Sequence, residues 1–557
     1  MKETIGAVTL DYTYYNGTDG YTDGDIEDEL LEHCKEGTQE NLLQYGNDWA
    51  VLYHLSGIRE NLLEWYPFTK RDSVLEVGAG CGGVTGVLSK KAGCVTCIEM
   101  SKKRSLINAY RHKEQGNIDI LVGNFQDIEP HLGKFDYVTL IGVLEYSGLY
   151  ILGPDPYSRM LSIAKKHLKP NGKLIIAIEN KTGLKYWNGA AEDHTGKLYS
   201  GLNDYVYDRN QKVRTFSKME LETLLSGVGI RSFEFFYPMP DYKLPGTIYC
   251  DNMLPLPGME RNYGKDYSSA RLYNFNDAII TDQVCADGMF RYFSNSFLVV
   301  AGGKEKLGTY VKYNRVRKTG FQIKTEIFWE DNGILVRKSA LTEEAGEHIR
   351  RLKQTENWSD ENFPQLNKVT GKLQDTMTYV IPYIKGTDLD QTFYIYRNDS
   401  ESFLKQTYEY LQSYFQVNPQ KLYPFYKTDE FERIFGSGTP EGKGCLQQTN
   451  IDLIFSNLRL TPEGRLYCID NEWVFDFPIP YEYVIWRSLQ SLYGEYSAYL
   501  NRQVTRGEFM ARMGISSEDD AVYQEMERNF YIYVYGKATR NLAHYQKGVF
   551  LQDIHVV

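Results

Sequence analysis

No stretch of this chain is apolar over the roughly 20 residues that a bilayer-spanning helix takes, so no transmembrane segment is expected. The opening residues, Met1-Lys-Glu-Thr-Ile-Gly-Ala7, carry no signal peptide. A cytoplasmic location is therefore expected, and any membrane association would be peripheral, at the inner face, through a partner or a lipid-linked substrate. Positive charge is in deficit: 62 Lys and Arg stand against 73 Asp and Glu, a formal net charge of −11. Without a basic stripe, sequence-independent nucleic-acid binding is not expected, although a local basic pocket for phosphate stays open. Only eight cysteines occur, and Cys94 and Cys97 form a lone CxxC with no second pair or nearby histidine. That spacing excludes a zinc site and suits buried thiols in a reducing compartment. Internal repeats and long low-complexity segments are also missing, which excludes solenoids.

At 557 residues the chain is too long for one core, and two to four domains are expected. Its 42% hydrophobic and 24% charged residues are ordinary for a globular protein. Tyrosine is in excess, with 45 copies. Its flat face and polar tip suit sugar or nucleotide surfaces, but ordinary cores and helix surfaces account for it better.

Strand and helix patterns alternate regularly from Ser73. Expected strands are Val74–Val77, Cys94–Ile98, Ile118–Val122, Tyr137–Ile141 and Lys173–Ile178, with helices over Ser101–Lys113 and Tyr157–His167. Such alternation predicts a mainly parallel, doubly wound α/β sheet. Helices are expected before it, and strands Phe233–Tyr237 and Phe297–Val300 to close it. The polar run Gly302-Gly-Lys-Glu-Lys-Leu-Gly308 is the best linker candidate. Beyond it, Tyr310–Arg317, Gln322–Trp329 and Gly333–Ser339 predict three antiparallel strands, then a helix over Leu341–Gln354. The chain is expected to be mostly helical after Tyr383, and again from Glu482 to the end. Two domains follow, 1–303 and 309–557, the second an α+β unit of two lobes.

The first domain opens on Val74-Leu-Glu-Val-Gly-Ala-Gly-Cys-Gly-Gly83. Gly78 and Gly80 allow backbone to approach a ligand closely, and Gly82 starts the next helix at little steric cost. Glu76 lies inside the strand. Glu99 ends the next one, where a carboxylate can accept hydrogen bonds from two ribose hydroxyls. Asn124, Phe125 and Asp127 follow the third strand, and Arg59 is a candidate clamp for a carboxylate. This set resembles class I S-adenosylmethionine (SAM) methyltransferases over about residues 40–300, and the resemblance implies a Rossmann-like fold with SAM as cofactor. Ile178-Glu-Asn-Lys-Thr-Gly-Leu-Lys-Tyr-Trp187, Glu192-Asp-His-Thr-Gly196, Arg214-Thr-Phe-Ser217 and Tyr237-Pro-Met-Pro-Asp-Tyr-Lys-Leu-Pro245 are similar to methyltransferase domains encoded with bacterial surface-polysaccharide enzymes. His194 is the candidate general base for a sugar hydroxyl, or else it orders the acceptor loop. A phosphate acceptor would need no base, but cations such as Lys181, Lys185, Arg214 or Lys243.

In the second domain, Asp452 and Asn457 stand five residues apart in Asn450-Ile-Asp-Leu-Ile-Phe-Ser-Asn457, and Asp470 follows an expected strand, Arg465–Ile469. That is the spacing of a kinase catalytic aspartate, its metal-binding asparagine and a second metal aspartate. Lys338 would bind nucleotide phosphates and pair with a glutamate of the next helix, where Glu344 is preferred and Glu347 is also available. Val380-Ile-Pro-Tyr-Ile384 looks like an adenine hinge. There is no G-x-G-x-x-G loop, only Lys318-Thr-Gly-Phe-Gln322, and Asn450 stands where histidine is usual. Residues 310–500 resemble the aminoglycoside- and lipopolysaccharide-kinase-like branches, which implies ATP and Mg2+, with Asn457 and Asp470 as metal ligands.

The combined chain resembles the bifunctional chain terminators of bacterial O-polysaccharides. The resemblance implies phosphorylation of a terminal sugar and methylation of that phosphate, on a glycan or lipid-linked oligosaccharide supplied by glycosyltransferases of the same pathway. The long C-terminal coiled coil of those terminators does not occur here. The alternatives are a glycan O-methyltransferase with a non-catalytic kinase-like binding module, and a small-molecule methyltransferase.

Overall fold

The computed structural model describes residues 1–20, 22–45, 48–208, 212–260, 272–303, 307–330, 333–358, 362–438, 440, 442–536 and 554–555. Among these, fifteen strands join into one sheet. In chain order they are β1 (Lys2–Ile5), β2 (Val8–Tyr14), β3 (Ser73–Val77), β4 (Cys94–Glu99), β5 (Ile118–Gly123), β6 (Phe135–Ile141), β7 (Leu168–Glu179), β8 (Phe233–Met239), β9 (Thr247–Cys250), β10 (Ser296–Ala301), β11 (Tyr310–Tyr313), β12 (Ile323–Glu330), β13 (Gly333–Ala340), β14 (Lys372–Asp375) and β15 (Thr378–Pro382). Their lateral order is β1-β2-β5-β4-β3-β6-β7-β10-β8-β9-β11-β12-β13-β15-β14.

The middle of the sheet, β5-β4-β3-β6-β7, is parallel, and its order reverses between β3 and β6. That is the doubly wound, Rossmann-like arrangement, with a crevice beyond the strand ends at the switch point. Both faces are covered. Leu174, Ile176 and Ile178 enter one core with Leu75 and Val138, while Ile175 and Ala177 enter the other with Val74 and Val95. The period of two along each strand sends successive side chains to opposite faces, and apolar residues at both explain the continuous hydrophobic runs. Helices α1 (Ile26–Glu36), α2 (Trp49–Leu55), α3 (Thr85–Lys91), α4 (Lys102–Arg111) and α5 (Pro156–Lys166) include those that flank this region.

The structure adds two features to the expected organisation. The hairpin β1–β2 extends the sheet beyond β5, to which β2 runs parallel. The sheet also passes through the expected domain junction: Val311 pairs with Ile248 and Lys312 with Thr247. Residues 304–306 of the expected linker lie outside the described residues, but Leu307 and Gly308 donate their N–H groups to the Glu234 carboxylate at 2.8 and 2.7 Å. Polar contacts reinforce the junction, with Arg315 Nε donating to Asn61 Oδ1 at 2.8 Å and Lys324 pairing with Glu64 at 2.9 Å.

The antiparallel strands β11–β15 lead into a helical region around α7 (Tyr481–Leu500) and α8 (Ser517–Tyr535), with α6 (Gly346–Gln354) packed on β13 and β15. The helix to the C-terminus expected from Glu482 includes residues 537–553, which lie outside the described residues. The tyrosine excess belongs here in part: Tyr481, Tyr483, Tyr493, Tyr496, Tyr499 and Tyr523 are buried in one aromatic-rich core. No helix among the described residues is long and apolar enough to cross a membrane.

Candidate active site

A cavity of about 660 Å3 opens beyond the ends of β3, β4 and β6. The glycine loop forms its floor. Gly78 has φ +72°, and a Cβ there would meet Val143 at 2.5 Å; Gly80 has φ +54° with open space beside it. Only glycine enters this conformation without strain. The loop is anchored by Glu99, whose carboxylate accepts from Gly80 N at 2.8 Å and Ser101 N at 2.9 Å. Ser101 in turn caps α4, accepting from Arg104 N at 3.2 Å. Asn124 and Phe125 line one side, and Arg59 another. Arg59 donates Nη1 to Lys243 O at 2.9 Å and lies over the Tyr53 ring at 4.4 Å. Its Nε is buried without a hydrogen-bond partner, which suits an incoming carboxylate.

Three residues from the predicted set do not reach the cavity. Glu76 is buried in β3, where it accepts from Thr85 Oγ1 at 2.6 Å and contacts Cys97 Sγ at 3.4 Å. Gly82 is a packing glycine, because a Cβ would meet Asn108 Oδ1 at 2.4 Å. Asp127 is exposed on the first turn of a short helix capped by Asn124. Burial lifts the Glu76 carboxyl from an ordinary 4.5 to about 7, outweighing its hydrogen bonds. The folded protein therefore holds this proton where the unfolded chain has lost it, and stability falls as pH rises from 4.5 to 7. The cost above that window is about 3 kcal/mol. Glu76→Gln is expected to stabilise the protein by an amount of this order at pH 8, with the difference vanishing below pH 4.5. Urea unfolding at the two pH values measures it.

The wall facing the glycine loop was not legible in the sequence. Asp23 receives His54 Nε2 and Arg104 Nη2, each at 2.7 Å, and Arg104 Nε donates to buried Glu27 at 2.7 Å. Arg111 Nη1 donates to the carbonyls of His54 and Cys81, both at 2.6 Å. These bonds tie α1 and α2 to α4 and the loop.

The far end of the cavity is carboxylate-rich. Glu145 follows β6 and Glu179 ends β7, adjacent parallel strands, and His194 comes from the 192–196 loop. Glu192 shapes that loop, accepting from His194 N at 3.0 Å and Thr195 N at 2.7 Å. Glu145 Oε2, Glu179 Oε2 and His194 Nε2 are all buried without hydrogen-bond partners. Ligand atoms of the three lie within 4.8 Å of one another. Behind them, Lys243 Nζ lies 2.6 Å from Glu179 Oε1 and 2.7 Å from Asp193 Oδ1, and Lys185 Nζ is 3.0 Å from Asp193 Oδ2. Burial pushes the Glu145 carboxyl up, and the neighbouring Glu179 charge adds to this. Burial opposes ionisation of Glu179, but the Lys243 ammonium holds it well below the carboxylate range. Burial disfavours charge on His194, yet Glu179 raises it to about 9.

The family comparison bears on this cavity directly. Residues 75–174 match the family described as "Methyltransferase domain". The chain carries a SAM-dependent methyltransferase domain. A ubiquinone biosynthesis O-methyltransferase of Coxiella burnetii is 32% identical over 163 residues, 28% of this chain and 64% of that protein. The corresponding protein of Histophilus somni is 32% identical over 141 residues, 24% of this chain and 56% of its own length. The chain thus spans less than two thirds of these curated relatives. Among solved structures, a SAM-dependent methyltransferase from Archaeoglobus fulgidus aligns over 49% of this chain and 99% of its own, at 13% identity and a TM-score of 0.28. Phosphoethanolamine N-methyltransferase 1 of Haemonchus contortus, solved with phosphoethanolamine and S-adenosylhomocysteine, aligns over 52% of each chain at 14% identity and a TM-score of 0.28. Of the residues predicted to hold a cofactor, Gly78, Gly80, Glu99, Asn124, Phe125 and Arg59 line this cavity.

The second predicted cluster also assembles, with one correction. Lys338 on β13 is buried and donates Nζ to Asp470 Oδ1 at 2.6 Å. Asn457 Nδ2 donates to Asp452 O at 2.9 Å, and Asn450 bridges the loop, accepting from Asp452 N at 2.9 Å and donating to Asp470 O at 3.0 Å. The asparagine at 450 thus does structural work on the loop. Asp452 Oδ1 accepts from Arg487 Nη1 at 2.9 Å. Glu344 is not the lysine's partner. The helix begins at Gly346 rather than Leu341, so Glu344 falls in the exposed turn before it. From α6 it is His348 that faces inward, bonded to Glu472 at 2.8 Å.

Proposed function

We propose that this protein is a SAM-dependent O-methyltransferase that acts on a carbohydrate hydroxyl of a bacterial surface polysaccharide or its lipid-linked precursor. The observation that carries the reading is the buried, unpartnered trio Glu145 Oε2, Glu179 Oε2 and His194 Nε2 at the end of the cofactor cavity. An acceptor O–H entering there finds carboxylate oxygens able to accept its hydrogen bond, and His194 able to take its proton once the imidazole has released its own. Bound SAM supplies a methyl group carried on a sulfonium. Tyr53, Tyr146 and Tyr242 line the same cavity and offer ring faces and hydroxyls to a sugar. The relatives' names as O-methyltransferases favour oxygen as the accepting atom.

A phosphate acceptor is less well supported, because its candidate cations are engaged. Lys185 and Lys243 pair with Asp193 and Glu179, and Lys181 and Arg214 pair with Asp204 and Glu220. Methyl transfer to unphosphorylated oligosaccharide ends is therefore expected to exceed transfer to phosphorylated ends. Mass spectrometry of products from both substrates decides this, and exclusive methylation of the phosphorylated ends would reverse the assignment.

The Lys338–Asp470 pair supports a second reading, an ATP-dependent phosphotransferase in a kinase-like C-terminal half. Lys338 would meet nucleotide phosphates, Asp452 would orient the acceptor hydroxyl, and Asn457 and Asp470 would hold Mg2+. Chain capping by kinase and methyltransferase in turn is the fuller form of this reading. Calorimetry is expected to show magnesium-dependent ATP binding that Asp470→Ala abolishes. SAM binding without ATP binding at any magnesium concentration would leave this half as a docking module.

A further inference from the structure

We propose that Glu145, Glu179 and His194 form a divalent-cation site that seats the acceptor oxygen; this rests on the hydroxyl reading above. The donor set has the required chemistry: two carboxylates and one imidazole nitrogen, from three separate segments, facing the same cavity. Each presents an atom that is buried and without a hydrogen-bond partner. The Glu179 and His194 side chains are 1% and 9% exposed, with Nε2 and Oε2 3.7 Å apart. That is too long for a hydrogen bond, and close to the roughly 3–4 Å between neighbouring ligand atoms that each lie about 2.1 Å from a metal. The two also form an ion pair, whose imidazole proton a bound cation would displace, and the cation would in addition satisfy Glu145 Oε2, which is buried without a hydrogen-bond partner.

Charge agrees with geometry. Lys243 and Lys185 answer Glu179 and Asp193 from behind. Among the described residues no lysine or arginine pairs with Glu145. The surroundings also fix the ligands in place. Tyr242 OH donates to Glu179 Oε1 at 3.2 Å, Lys243 binds that same oxygen, and both leave Oε2 turned to the cavity. Glu192 pins the backbone of His194. Three protein ligands leave coordination positions open to a substrate, as in catalytic rather than structural sites. Carboxylates suit Mn2+ and Mg2+ and the imidazole suits Zn2+, so the donor set fits a divalent cation of this group, of which Mn2+ is the paramagnetic probe.

The test titrates Mn2+ into the full chain with S-adenosylhomocysteine present, read by electron paramagnetic resonance. Asp470→Ala is built into every protein, so that the C-terminal cluster does not compete. One tightly held equivalent is expected, weakened at least tenfold by Glu145→Gln and by His194→Gln separately. Circular dichroism and thermal melts confirm that each variant is folded, and two variants on different segments guard against loss of one. No bound Mn2+ at millimolar concentration, or equal affinity in both variants and the parent, overturns the site. Hydroxyl methylation that persists after chelation, with no Mn2+ bound, overturns the cation while leaving the hydroxyl reading standing. Mn2+ held by the trio in a protein that methylates no hydroxyl supports the site and removes that reading.

Discussion

His194→Ala is expected to lower kcat for methyl transfer by about 100- to 10,000-fold, the usual contribution of a group that assists loss of a proton from the acceptor. SAM affinity is expected to stay within about threefold, because the residues proposed for cofactor recognition, the glycine loop, Glu99 and Arg59, are other members of the cavity lining. The split follows from position. His194 is held beside Glu179 and edge-on to Tyr146, with ring centroids 5.1 Å apart, and among the described residues has no hydrogen bond or ion pair with the glycine loop. Glu145→Gln should behave similarly, since an amide keeps the shape of the carboxylate but cannot take a proton or a full ionic role. Asp127→Ala serves as the contrast: the side chain is exposed and off the cavity, and neither kcat nor SAM affinity should move. Calorimetry for SAM and single-turnover rates for methyl transfer separate the two quantities. A His194→Ala protein with a rate within threefold of the parent would show that the acceptor is activated elsewhere.

The residues that the sequence located well are those whose role is fixed by their own neighbours. Gly78 and Gly80 follow directly from a strand, and Glu99 from the end of the next, so strand-loop-helix order alone places them at the cavity beyond the strand ends. Lys338 and Asp470 were placed in the same way, the first within a strand and the second just after one. The acidic pair was different. Glu145 and Glu179 are 34 positions apart and meet only because β6 and β7 are parallel neighbours. No periodicity encodes that meeting, and a buried acid is indistinguishable from a surface one in a single sequence. The misplacement of Glu344 has a similar origin. A helix start moved from 341 to 346 carries a residue from the packed face into a turn, since side-chain direction depends on helical phase. The joining of β9 to β11 was illegible for a further reason: edge pairing is decided by which edges the finished domains expose.

Arg104→Met is expected to destabilise the protein by about 3–5 kcal/mol, the range for removing one partner of a buried ion pair. The Arg104 and Glu27 side chains are 9% and 1% exposed, with Nε 2.7 Å from Oε1. The substitution preserves much of the apolar stem but leaves the buried Glu27 carboxylate without its cation, held only by hydrogen bonds from Thr22 Oγ1 and Asp23 N, each at 2.9 Å. Glu27→Gln added to Arg104→Met should restore most of that loss, because the penalty lies in an uncompensated charge rather than in a missing contact. Cofactor affinity should not follow. Arg104 Nη2 also holds Asp23, which with His54 lines the cavity wall, and the double variant leaves Asp23 without that bond. The pair of measurements thus distinguishes two duties of one guanidinium. Urea unfolding should show recovery in the double variant, while SAM titration should show both variants weakened alike. Full recovery of affinity along with stability would mean that the wall acts only through the packing of α1, and a single variant within 1 kcal/mol of the parent would mean that Glu27 finds water or another cation when Arg104 is gone.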